Sequence, residues 1–271
     1  MTDWQDEKDG LLAEFLGKKR IGVVCDVDGT LSPIVDDPAA ASVRRESVDA
    51  LNRIQPQVTL LAFVSGRGAA DIHERVGVSD AVYVGNHGME HWQSGEVVVN
   101  ERVSDFRPNL ERVMEGVRVM APEGVEVEDK GASASVHYRR MQGSQQEVET
   151  LKSELEAIAG RHDIEVHSGK MVYELRPPVE INKGTAFRKL VKDHRLEAAI
   201  YIGDDVTDVD ALRMAAKLRD EGECFGLGVG VRHTDDTPET VLRHADLLTD
   251  GVEDVSAFLD WLSKALSASS T

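Results

Sequence analysis

Between residues 21 and 84 short apolar runs alternate with amphipathic stretches. Residues 21–25, 58–64 and 81–84 are nearly continuous in Ile, Val, Leu, Ala and Phe, which predicts strands buried on both faces. Val48, Leu51 and Ile54 recur at helical spacing, as do apolar positions over 69–76, so a helix is expected after each of the first two strands. The rhythm then changes. Helical periodicity over 105–120 is followed by strand-like segments at 125–129 and 133–138, and the same order repeats as helix 145–161 with strands 164–167 and 171–175. After Pro177 and Pro178 the first alternation resumes, with helix 183–194, strand 199–202, a helix carrying Val209, Leu212 and Ala216, strand 224–229 and a last helix at 252–267. The pattern predicts an α/β core on a doubly wound parallel sheet, assembled from residues 1–102 and 179–271, with an α+β domain inserted at 103–178.

A chain of 271 residues suffices for both parts. Composition narrows the partners: 49 acidic against 31 basic side chains give a net charge of -18, which disfavours nucleic acid and anionic membrane. Cys25 and Cys224 lie in apolar runs without metal-site spacing and read as small buried hydrophobes. Asp3, Asp6, Glu7 and Asp9 stand where a signal peptide needs basic and then apolar residues, so a soluble, cytoplasmic protein is expected. Without a coiled-coil seam a monomer is the default expectation.

Chemistry enters at the ends of the expected strands. Asp26-Val27-Asp28-Gly29-Thr30 follows the first run, and Gly203-Asp204-Asp205-Val206-Thr207-Asp208 follows the run at 199–202. Ligands of a parallel sheet gather at the carboxyl ends of its strands, so these acids can converge if the strands are neighbours. Close carboxylates repel one another, and Mg²⁺ with its preference for oxygen ligands and substrate phosphate is the expected compensator. Asp26 is the candidate nucleophile for phosphoryl transfer, and Asp28 the candidate acid and base. Ser65-Gly66-Arg67 ends another strand-like run and offers a hydroxyl and bare amides to phosphate. Asn182-Lys183-Gly184 opens a helix, where an ammonium would join the positive dipole end. Each feature alone is an ordinary turn or a solvated charge; the set is what carries the reading.

In this order the four motifs resemble those of the haloacid dehalogenase superfamily of phosphatases. Gly85-Asn86-His87-Gly88-Met89-Glu90, Glu128-Asp129-Lys130-Gly131, Val136-His137-Tyr138-Arg139 and Tyr173-Glu174-Leu175-Arg176-Pro177 resemble more narrowly the trehalose-6-phosphate phosphatases. The resemblance implies a Rossmann-like core and a cap domain that selects substrate. It implies that Asp26, Asp28 and Asp204, with the Val27 carbonyl, surround Mg²⁺, while Asp205 and Asp208 support them. It further implies that Ser65, Gly66 and Lys183 hold phosphate, and that Glu128, Lys130 and Glu174 bind sugar hydroxyls. Arg67 and His87 are further candidates for the cleft lining.

The expected reaction is Mg²⁺-dependent hydrolysis of trehalose 6-phosphate through an aspartyl-phosphate on Asp26. A phosphatase for another sugar phosphate such as sucrose phosphate, a phosphomutase, and a non-catalytic sugar-phosphate sensor remain alternatives. Gly226-Leu227-Gly228-Val229-Gly230 lacks the spacing and following helix of a dinucleotide site, and His87, His91, His162 and His167 lack zinc-site spacing.

Overall fold

The computed structural model describes residues 2–35, 41–169, 171–233 and 237–269. Its larger sheet runs in the order Thr2–Asp3, Leu247–Asp250, Phe225–Arg232, Ala198–Gly203, Ile21–Cys25, Leu60–Val64, Val82–Gly85, Glu90–Gln93, Glu96–Val99. Pairing is parallel from Thr2–Asp3 across to Val82–Gly85 and antiparallel between Val82–Gly85 and Glu90–Gln93. Every residue of Ile21–Cys25, Leu60–Val64 and Ala198–Gly203 is buried, which is why these strands are apolar without alternation.

Side chains leave the central strands alternately toward two layers. Ile21, Val23 and Cys25 join Ala198, Ile200 and Ile202 on one face, against helices Arg45–Ile54 and Gly251–Ser269. Val24, Ala199 and Tyr201 face the other, where Phe187 and Leu190 of helix Lys183–Asp193 meet Leu212 and Ala215 of helix Val209–Asp220. Each fully buried Val, Leu, Ile or Phe contributes about 1.5–3 kcal/mol, so two covered faces make a rigid base for the strand ends.

The periphery departs from the sequence pattern. Thr2–Asp3, Leu247–Asp250 and the hairpin Glu90–Gln93 with Glu96–Val99 form strands where none is expected, and Leu11–Leu16 and Glu239–His244 form extra helices. These elements have at most six residues, too few for periodicity to show. Ser94 and Gly95 both take positive φ, 54° and 89°, as a tight hairpin turn requires.

Contacts divide the chain into two compact units, Met1–Val97 with Ile181–Thr271, and Val98–Glu180. In the second, an antiparallel sheet runs Glu126–Asp129, Ala134–His137, Val172–Arg176, Glu165–Gly169. Val136, Tyr173 and Leu175 pack with Leu110, Val113 and Val117 of helix Arg107–Met120 and with Leu151, Leu155 and Ala159 of helix Gln145–Gly160. The longer helix starts in a Ser144–Glu147 capping box, which satisfies amides that the helix cannot pair internally.

Candidate active site

Parallel register sets three strand ends level. Ile202 pairs with Cys25, and Cys25 with Phe63, so Asp26, Gly203-Asp204 and Ser65 lie at or just beyond the same edge of the sheet. The Asp26 amide donates to the Ile202 carbonyl at 2.8 Å, which ties the two acidic motifs together by main chain. Gly29 has φ of 79°, and a Cβ there would overlap the Asp204 carboxylate; only glycine allows this turn to come so close.

Lys183 reaches the cluster because its helix starts beside it. Asn182 caps that helix, accepting the Thr185 amide at 2.9 Å while Thr185 Oγ1 accepts the Asn182 amide at 2.9 Å. From the first helical position the Lys183 ammonium donates to Asp26 Oδ1 at 2.8 Å and to Asp208 Oδ1 at 2.7 Å, and all three groups are buried. Two of its three N–H bonds are therefore committed, leaving one uncommitted among the described residues. Asp208 is saturated: Oδ1 also accepts the Tyr201 hydroxyl at 2.6 Å, and Oδ2 accepts the amides of Asp204 at 3.1 Å and Asp205 at 3.0 Å. Thr30 Oγ1 donates to Asp204 Oδ1 at 3.1 Å.

Burial, then the charge of Asp208, pushes the Asp26 carboxyl well above the ordinary carboxylate range. Asp204 is raised too, chiefly by burial, although its hydrogen bond with His233 opposes the rise. Burial alone would lower Lys183, but Asp208 and Asp26 outweigh it and hold the ammonium above its usual value. Ligand atoms of Asp26, Asp204 and Asp208 all lie within 4.8 Å of one another. Three buried carboxylates against one ammonium leave surplus negative charge, and an all-oxygen donor set suits a hard divalent cation. Since Asp208 has no acceptor capacity to spare, Asp26 and Asp204 are the carboxylates that could hold it. The Val27 carbonyl, expected to face the ion, instead accepts the amides of Leu31 at 2.8 Å and Ser32 at 2.9 Å. The turn after Asp26 consumes that oxygen, a demand invisible in the motif itself.

Asp28 stands apart from this cluster. Arg67 grips it with two bonds, Nε to Oδ2 at 2.5 Å and Nη2 to Oδ1 at 2.8 Å, and uses Nη1 to hold Asp71 at 3.0 Å. Arg75 holds the other Asp71 oxygen at 2.7 Å, so Asp28 is tied to helix Ala69–Val76. Hydrogen bonds to Asp28 and Asp71 overcome burial and keep the Arg67 guanidinium firmly protonated. Ser65 is buried; its hydroxyl accepts the Arg67 amide at 3.3 Å and its carbonyl accepts the His87 amide at 2.9 Å. His87, at φ of 58°, lays its ring against Gly66, where any Cβ would collide with it. Asp205 is exposed and caps the short turn Val206–Asp208; it contributes to shaping the loop and lies outside the three-acid cluster.

In the second unit, Glu128, Ser135, Glu174 and His167 form one cross-strand row, so Glu128 and Glu174 share the sheet face opposite the helices. Lys130 Nζ donates to Glu174 Oε1 at 3.4 Å, Arg176 Nη2 to Oε2 at 2.6 Å, and His137 Nε2 pairs with Glu128 Oε2 at 2.9 Å. The His137 bond holds the Glu128 carboxyl below its usual range.

Two residues of the core site carry no local signal. Tyr201 sits in an apolar strand and reads as core, and His233, whose Nε2 lies 3.4 Å from Asp204 Oδ2, follows a run of Val and Gly. His233 becomes visible only when strand Phe225–Arg232 pairs with Ala198–Gly203, and Tyr201 only when the Asp208 turn folds back on its own strand.

Residues 24–244 match the family model for trehalose-phosphatase. The trehalose-phosphate phosphatase of Mycobacterium tuberculosis is 33% identical over 264 residues, which cover 94% of this chain and 64% of that one. The chain thus spans a little under two thirds of the length of this curated relative. A solved trehalose-6-phosphate phosphatase related protein superposes with a TM-score of 0.74 at 25% identity, over 92% of this chain and 100% of that one. A haloacid dehalogenase-like hydrolase from Bacteroides thetaiotaomicron shares the fold, with a TM-score of 0.64 at 19% identity over 90% and 100% of the two chains.

Proposed function

The chain belongs to the trehalose-phosphatase family, and from that membership we propose that it hydrolyses trehalose 6-phosphate to trehalose and inorganic phosphate, with Mg²⁺ and through an aspartyl-phosphate on Asp26. The observation that carries the chemistry is the buried Asp26–Lys183–Asp208 array beside Asp204. Asp26 and Asp204 would hold Mg²⁺, which would supply charge neutralisation for the phosphoryl group and for the crowded carboxylates.

Asp26 attacks phosphorus in line, the bond to the sugar oxygen breaks, and Asp28 gives that oxygen a proton. Water then attacks the phosphorus of the aspartyl-phosphate, Asp28 takes the water's proton, and the bond to Asp26 breaks to release phosphate. Lys183 offers its third N–H, and Ser65 and Gly66 their hydroxyl and amide, to the phosphoryl oxygens. A protonated carboxyl cannot accept both guanidinium bonds equally well, so the first step requires the Arg67 grip on Asp28 to loosen. Glu128, Lys130 and Glu174 recognise sugar hydroxyls; two acceptors and a donor on one rigid sheet face suit a ring that carries both donors and acceptors. His87 sets the shape of the Ser65-Gly66 turn from behind. Among the described residues no helix is long and apolar enough to cross a membrane, and a cytoplasmic enzyme meeting a small sugar phosphate is the reading we favour.

Phosphate release from trehalose 6-phosphate, sucrose 6-phosphate, glucose 6-phosphate and an aryl phosphate, each with Mg²⁺ and with EDTA, tests this. A metal-dependent kcat/KM at least about tenfold higher for trehalose 6-phosphate is expected, roughly 1.4 kcal/mol of discrimination. Equal rates on all sugars would overturn the substrate, and release in EDTA would overturn the metal.

A further inference from the structure

Tyr201 is a polar group that the reaction scheme does not use. It occupies strand Ala198–Gly203 with its side chain fully buried, its ring edge-on to Phe187 at 5.6 Å between centroids. Phenylalanine would satisfy the same apolar packing, and an unpaired hydroxyl at such a site would cost stability. Here the hydroxyl donates to Asp208 Oδ1 at 2.6 Å, the oxygen that also accepts Lys183.

We propose that Tyr201 is a positioning residue: acting through Asp208, it fixes the Lys183 ammonium against Asp26 and the phosphoryl group. The inference rests on the catalytic reading above. Asp208 joins helix Lys183–Asp193, through the ammonium, to the continuous segment that runs from Tyr201 in strand Ala198–Gly203 into the Asp204-Asp205 turn. The two amides hold Oδ2 from the turn side, and they cannot by themselves stop Oδ1 from swinging about that edge. Tyr201 holds Oδ1 itself, out of a strand that is buried along its whole length. Among the described residues, removing its hydroxyl leaves Lys183 as the only donor to Oδ1, and carboxylate and ammonium then drift together. A transferring phosphoryl group is stabilised by donors already in place, so loss of this alignment is felt in the chemical step more than in substrate binding.

The experiment is a double-mutant cycle on the Mg²⁺-loaded full chain with Tyr201→Phe, Asp208→Asn and the pair, read by kcat and KM for trehalose 6-phosphate. Binding of orthovanadate is followed in parallel by calorimetry. Tyr201→Phe is expected to lower kcat by about tenfold, the scale of one hydrogen bond to a charged group, with KM changed less than about twofold. The same substitution in the Asp208→Asn background should cost almost nothing, because the hydroxyl acts through that carboxylate. An unchanged kcat, or the same loss with and without Asp208, would overturn the proposal. If Asp208→Asn does not fold, weaker orthovanadate binding by Tyr201→Phe supports the proposal and equal binding overturns it. Wild-type protein that releases no phosphate sinks the catalytic reading, and the vanadate comparison still decides the role of Tyr201.

Discussion

In the core unit Asp26 and Asp204 are almost wholly enclosed and burial raises their carboxyls, whereas in the inserted unit Glu128 and Asp129 lie at an open sheet face and edge, where His137 and Arg107 lower theirs. The first arrangement crowds carboxylates whose charge a divalent cation would offset. The second keeps its carboxylates ionised beside their His137 and Arg107 partners. Enclosed, raised carboxyls and open, lowered ones are thus divided between two compact units of one chain, each with its own hydrophobic core.

The contrast breaks most sharply at Asp26. Asp26→Asn preserves shape and the Lys183 contact but removes the nucleophile, so kcat should fall at least about a thousandfold with folding intact by circular dichroism. Retained turnover would leave the core cluster a structural device. Next in size is Glu174→Ala, which should lower kcat/KM for trehalose 6-phosphate by about ten- to a hundredfold while an aryl phosphate changes less than about twofold. Equal losses on both substrates would remove the inserted sheet from recognition.

A third effect sharpens the electrostatic half. Because Asp26 and Asp204 are raised in the folded state, the native protein holds protons more tightly than the unfolded chain. Without metal, stability then falls as pH rises from the unfolded carboxylate value through the raised one. A cation competes with those protons, so the gain in melting temperature from Mg²⁺ over EDTA should be small in acidic buffer and larger in mildly alkaline buffer. A gain independent of pH would place the metal elsewhere. The smallest effect concerns the half-exposed Arg107–Asp129 pair, whose oxygens lie at 2.6 Å from the guanidinium. Arg107→Ala should cost on the order of 0.2–1 kcal/mol in urea unfolding, less in high salt. Asp129 is lowered, so this contribution is present above the unfolded carboxyl value and vanishes as pH falls through the folded one.

The buried strands were legible because a strand covered on both faces must be continuously apolar, as Ile21–Cys25 and Leu60–Val64 are. The acidic motifs stand out in the sequence because Asp26 and Gly203-Asp204 directly follow such runs, whereas Lys183 opens a helix and alone reads as a solvated charge. The edge hairpin at Glu90–Gln93 and the short helix Glu239–His244 do not stand out, since half-covered elements of a few residues leave no period to read.

The sequence by itself determined the alternation of elements, the insertion between two parts of one core, and the chemical groups available at the strand ends. Only the tertiary structure decided which atoms meet. Register sets Ile202 beside Cys25, and with it Asp204 beside Asp26; helix Lys183–Asp193 brings its ammonium to Asp26 and Asp208, and strand Phe225–Arg232 brings His233 to Asp204, while Tyr201 meets Asp208 and the Val27 carbonyl meets its turn within single local segments. Arg67 meets Asp28, 39 residues away in sequence, because the strands that precede them are neighbours. Periodicity records which side of an element is buried, but hydrogen bonds join partners far apart in sequence, and their distances exist only after the strands have paired.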